Sequence, residues 1–148
     1  MEYKRKERIT AKDLGIDLAS KKEEEVFKWF LACLLFSKPI QQEVAGRTYF
    51  EFEKEGLTSP DAILQAGWDQ LVKVLDRGHY VRYDESTATK LLEVAQEFKE
   101  KYGTMTNLLK QAKSVNELSK LLQKFKGVGP KTAQIFIRGL RQNGWEFK

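Results

Sequence analysis

Residues 121–134 read Leu-Leu-Gln-Lys-Phe-Lys-Gly-Val-Gly-Pro-Lys-Thr-Ala-Gln, and the reading of the whole chain turns on them. A helical stripe of Leu118, Leu121, Leu122 and Phe125 runs into this stretch and ends at Phe125 or Lys126. Gly127-Val128-Gly129 then turns the chain sharply. Pro130 opens a second helix at the position where its missing N–H costs nothing, and Ala133, Phe136, Ile137 and Leu140 carry a second inward stripe. Glycines lack Cβ, so they admit positive φ and let another backbone approach closely, while their N–H groups stay available. The free donors and positive dipole end of the second helix lie next to them. With Lys126 and Lys131 adding charge, the segment reads as a phosphate-binding hairpin that positions a nucleic-acid backbone without reading bases. The same string also fits a glycine-rich turn between two packed helices.

The remaining sequence is helical in period almost throughout, which predicts an all-α chain. Thr10 with Asp13 marks a short helix, and Ser20 with Glu23 a capping box ahead of Val26, Phe27, Phe30, Leu31, Leu34 and Leu35. Cys33 lies inside that apolar run as a small core residue. A helix from about Ile40 to Lys54 stops at Gly56, Ser59-Pro60 caps and starts the next, and Trp68–Leu75 follows. The segment Asp76–Tyr83 reads as a loop with positive character from Arg77, His79 and Arg82. Ala88, Leu91, Leu92, Ala95, Phe98 and Tyr102 form an amphipathic helix closed by Gly103, a short helix follows from Met105, and Ser114 with Glu117 caps the helix leading into the hairpin. Trp29 and Trp68 are expected in the core, whereas Trp145 fits either packing or base stacking. The organisation expected is a basic segment and short helix over 1–19 and a helical domain over 20–148, with the hairpin motif spanning 115–141.

At 148 residues with 41% hydrophobic and 32% charged residues, the chain is large enough for one buried core and is not of disordered composition. Charge is unevenly placed. Residues 110–148 hold nine Lys or Arg against Glu117 and Glu146, so the C-terminal quarter is strongly basic although the whole chain carries only +5. No apolar run approaches a membrane span, Met1–Lys12 lacks the apolar stretch of a signal peptide, and one cysteine builds no disulfide framework. These point to an intracellular, cytoplasmic protein, nucleoid-associated if prokaryotic, with no membrane partner.

Phe125–Ala133 resembles the helix-hairpin-helix of the DNA glycosylase superfamily that includes endonuclease III, whose motif reads Leu-Pro-Gly-Val-Gly, a variable residue, then Lys-Thr-Ala. Upstream, the apolar helix ending Leu34-Leu35-Phe36-Ser37, the Leu64–Leu75 region, Gly78 and the Lys90–Phe98 helix occur in the family's order. The resemblance implies an all-helical glycosylase-like fold, lacking the C-terminal part of the family domain, that binds duplex DNA, including damaged or abasic duplex. It implies backbone contacts at Lys126, Gly127, Val128, Gly129 and Thr132. Lys131 matches the lysine that forms a Schiff base with the deoxyribose C1′ in bifunctional members. The dipole of its helix, and partial burial, would favour the neutral amine that this chemistry needs; Lys131 also fits a simple phosphate contact.

The same resemblance implies a DNA wedge or backbone contact from the loop after the long apolar helix; that loop, Ser37–Gln42, departs from the family pattern, its candidates Lys38, Gln41 and Gln42 also fit helix capping or plain surface exposure, and Arg138 is a further candidate contact. It also implies a monovalent cation held by the carbonyls of Gln123, Phe125 and Val128, and otherwise no cofactor. The four-cysteine iron-sulfur site of one subgroup has no counterpart, Cys33 being the single cysteine. The family's aspartate beyond the lysine has no counterpart either, since no aspartate follows Asp84 and Glu146 is the only acid after Lys131. Two functional readings stay open: a base-excision repair protein of glycosylase and abasic-site lyase type, or a non-catalytic DNA-binding module or truncated glycosylase. The oligomeric state is not fixed by any motif.

Overall fold

The computed structural model describes residues 8–147; the basic residues expected at the extreme N-terminus and Lys148 lie outside them. The described residues are all-α. They form seven α-helices, α1 (Glu23–Leu35), α2 (Gln42–Lys54), α3 (Pro60–Arg77), α4 (Asp84–Lys101), α5 (Met105–Lys110), α6 (Val115–Gln123) and α7 (Pro130–Gln142), with short 310 turns at Lys12–Leu14, Leu18–Ser20 and Val81–Tyr83. No helix among them is long and apolar enough to cross a membrane.

Helix α1 is the axis of the fold. Val26, Phe27 and every residue from Trp29 to Leu35 are buried, which is why its sequence is apolar nearly all round instead of on one stripe. Phe30 carries the packing outward, with ring centroids of Phe98 at 6.4 Å, Phe125 at 5.7 Å and Phe136 at 5.6 Å, so one side chain joins α1, α4, the end of α6 and α7. The indole of Trp29 donates to the carbonyl of Phe136 at 3.1 Å, giving the buried N–H a partner inside α7. Ala11, Leu14, Ile16 and Leu18 are also buried, so the segment before α1 contributes to this same core.

Local caps explain most helix boundaries. Ser59 accepts from the Ala62 amide at 3.1 Å with Pro60 in the first turn, and Ser114 accepts from the Glu117 amide at 3.1 Å. Thr10 and Asp13 exchange the reciprocal bonds of a capping box, at 2.9 and 3.2 Å, over a single 310 turn. The Ser20–Glu23 box does not form. Ser20 closes a 310 turn, Lys21 takes the left-handed conformation (φ 59°), and α1 begins after Lys22. The Glu23 carboxylate instead accepts from the amides of Met105 and Thr106, the orphan donors at the start of α5. Trp68 also departs from expectation: it is 39% exposed, with its N–H on Thr89 Oγ1 at 3.1 Å, because Gly67 (φ 78°) breaks α3 and turns that indole outward.

Two close helix contacts depend on missing side chains. A Cβ on Gly139 would lie 2.6 Å from Cε2 of Trp29, and one on Gly78 would lie 2.7 Å from the Thr48 backbone Cα. Replacing either by alanine is expected to lower stability by about 1–3 kcal/mol, with Gly78→Ala the worse because backbone yields less readily than an indole. Urea unfolding midpoints at constant m-value check this; an unshifted midpoint for Gly139→Ala would deny the Trp29 contact.

Candidate functional site

The two glycines of the hairpin differ in what they do. Gly127 is left-handed (φ 83°), and a Cβ there would stand 2.6 Å from Cδ of Lys90. Gly129 has φ −99° and ψ −177°, an extended conformation open to any residue, and a Cβ on it would meet nothing within 4 Å. The expectation that both glycines serve positive φ therefore holds only for Gly127. Nothing inside the described chain requires a glycine at 129. The space beside its Cα is open.

Most of the amides of the bend have no internal partner. Val128 donates to the Phe125 carbonyl at 3.1 Å, which ties the turn to the end of α6. The amides of Gly127, Gly129, Lys131 and Thr132 make no hydrogen bond within the described residues, and Gly129, the N-cap of α7, has no side-chain capping bond. Four unpaired N–H groups at a helix N-terminus are donors of the kind that suits an anion. Lys126 stands beside them with its side chain 80% exposed and an ion pair to Glu93 at 3.5 Å. The side chains of Val128 and Thr132 are buried, so these two residues offer backbone only.

Lys131 is exposed, so the partial burial expected for it is not found. It opens onto a groove of about 1090 Å³ between α6 and α7, which Arg138 and Arg141 also line and no Asp or Glu does. One guanidinium nitrogen of Arg138, Nη1, is buried without a hydrogen-bond partner. Glu146 does not reach the groove. Of the other residues expected to contact DNA, Gln42 accepts from the Ile9 amide at 2.8 Å and Gln41 precedes α2 as its N-cap. Lys38 sits 5.5 Å from the ring centroid of Tyr83. Among the carbonyls expected to hold a cation, that of Phe125 already accepts the Val128 amide.

The residue that sequence reading missed is Lys90. It is 8% exposed, lies beneath Gly127, and its ammonium donates to the Leu34 carbonyl at 3.2 Å and to Ser37 Oγ. It thus joins the hairpin to the C-terminus of α1, where the orphan carbonyls carry partial negative charge. Tyr80 seals the adjacent carbonyl, Leu35, at 2.5 Å. Burial, with Lys38 as a nearby like charge, lowers the Lys90 pKa to about 8. The signal was present in the register: Thr87, Lys90, Leu91 and Val94 follow the spacing of a buried helical face, and all four are buried.

Lys90 makes a specific mark on stability. Between about pH 8 and 10 the native state has released a proton that the unfolded chain still holds, so its contribution to stability rises with pH across that window, by on the order of 3 kcal/mol in full. The buried thiol of Cys33 and the hydroxyls of Tyr49 and Tyr80, all raised by burial, act in the opposite sense as the unfolded chain ionises. The difference between wild type and Lys90→Met isolates the lysine. Urea unfolding at successive pH values is expected to show wild type gaining on the variant above pH 8, and a constant difference from pH 7 to 10 would place Lys90 in water.

Comparison with protein-family models, with curated proteins and with solved structures finds no match, and the functional reading is carried by this geometry.

Proposed function

We propose that the chain is a DNA-binding protein of the helix-hairpin-helix glycosylase type, which grips the sugar–phosphate backbone of duplex DNA through the 126–132 hairpin. The observation that carries the reading is Gly129. It is a glycine whose conformation and internal surroundings do not call for one, placed among amides with no internal partner. A phosphate oxygen drawn in by Lys126 and Lys131 would meet those donors at the dipole end of α7. Such contacts fix a nucleic-acid backbone and are indifferent to base sequence.

The glycines give a test that separates binding from folding. Gly129→Ala is expected to keep the wild-type melting temperature while weakening binding to a short duplex several-fold, because its methyl group obstructs only an external ligand. Gly127→Ala is expected to lose stability as well, from the left-handed backbone and the collision with Lys90. Fluorescence anisotropy on duplexes of unrelated sequence, beside thermal melts, provides both readouts. Equal affinity for Gly129→Ala and wild type would remove the hairpin as the contact.

A second reading, abasic-site lyase, is favoured by one observation: Lys131 is an exposed amine on an open groove beside the proposed phosphate contacts. That groove has no carboxylate lining to assist proton transfer, so binding is the better supported function. Borohydride trapping on abasic DNA distinguishes them. The lyase reading expects a covalent adduct that Lys131→Ala abolishes; an adduct that survives this change, or none from wild type, would sink it.

A further inference from the structure

Lys90 brings a full positive charge into a position where no carboxylate answers it. Its ammonium is held by the Leu34 carbonyl and Ser37 Oγ, both neutral, and the charged group that acts on it most is another cation, Lys38. Lys38 in turn leans on Tyr83, and the Arg82 guanidinium lies 5.6 Å from the centroid of the same ring. None of these three cations forms an ion pair among the described residues. The carboxylates nearest in sequence to Arg82, Asp84 and Glu85, form no ion pair with it, and the neighbouring Asp84 raises the Asp76 carboxyl. The loop after α1, the loop after α3 and the hairpin therefore meet around a cluster of cations without a counter-ion.

Burying an ammonium without an anion is costly, and a helix C-terminus supplies only about half a charge in compensation. An anion arriving from outside would supply the remainder. We infer that Lys38, Arg82 and Lys90 form an anion site that takes a phosphate group, lying beside the hairpin amides and separate from them. Resting on the DNA-binding reading, the inference assigns this site the phosphate next along the strand from the one on the hairpin. A free phosphate compound presents the same chemistry.

The experiment combines two probes on the folded full chain. The half-buried Lys38 and the exposed Arg82 are removed in the double variant Lys38→Gln/Arg82→Gln, which leaves the buried Lys90 stem and its packing in place. First, NMR of the Lys90 side chain is followed across pH with and without inorganic phosphate; phosphate is expected to move its titration upward in wild type and not in the double variant. Second, duplex affinity is measured against salt, where the double variant is expected to lower the slope by about 0.9, the value for one lost phosphate contact.

The outcomes separate this inference from the reading beneath it. A salt slope unchanged in the double variant, with Gly129→Ala still weakening binding several-fold, overturns the second site and leaves the hairpin standing. Phosphate acting on Lys90 in a protein that binds no duplex retains the site, as one for a free phosphate compound, and overturns the DNA reading. A Lys90 titration indifferent to phosphate, with no binding to duplex, overturns both.

Discussion

An ammonium buried under a glycine is the constraint on which the shape of the hairpin depends. Lys90 reaches from α4 to the C-terminus of α1, and its methylene stem occupies the volume that any side chain at position 127 would need. The bend can approach α4 this closely only because Gly127 has no Cβ, and its left-handed backbone has the same requirement. Holding the lysine in place gives the first hairpin glycine an internal purpose. It also fixes the height of the neighbouring amides above the core, since Val128 is buried behind them. The turn is thereby tied down from inside, by the buried Val128 side chain, by its amide on the Phe125 carbonyl and by the Lys90 stem beneath Gly127.

The second glycine has the complementary meaning. In sequence Gly127 and Gly129 are equivalent halves of one motif, and nothing in the string separates them. Space and dihedral angle do: one is constrained by the fold, the other is left free by it. A position that the interior does not need, on a surface of unpaired donors, is informative about what lies outside the molecule. That inference is stronger than the count of positive charge. Lys126, an exposed lysine of the bend, is already partnered by Glu93, and exposed pairs of this kind contribute little.

Much of the architecture was legible because local chemistry and apolar period agree. Ser59, Ser114 and Thr10 mark true starts, and the stripe Ala133, Phe136, Ile137 and Leu140 is buried as its spacing predicts. The misreadings share a cause, namely partners distant in sequence. Glu23 sits where a capping box would put it but spends its carboxylate on the start of α5, and Trp68 is turned out by the break at Gly67. Lys90 is the sharpest case. A lysine at a stripe position reads as surface unless one knows that carbonyls at the end of α1 await it. No window of neighbouring residues contains Leu34, Ser37 and Gly127 together.

The distribution of amines bears on what the site can do. A lysine that attacks an aldehyde must be both neutral and reachable by the sugar. Lys90 moves toward the first condition through burial, yet the same burial, and two hydrogen bonds donated by its nitrogen, keep it from the second. Lys131 meets the second, standing on an open groove, where the local groups are the guanidiniums of Arg138 and Arg141 and no carboxylate is present to accept or return a proton. The two requirements of Schiff-base chemistry are thus divided between two residues on different helices. That division is why the proposal made above is one of backbone binding and not of catalysis.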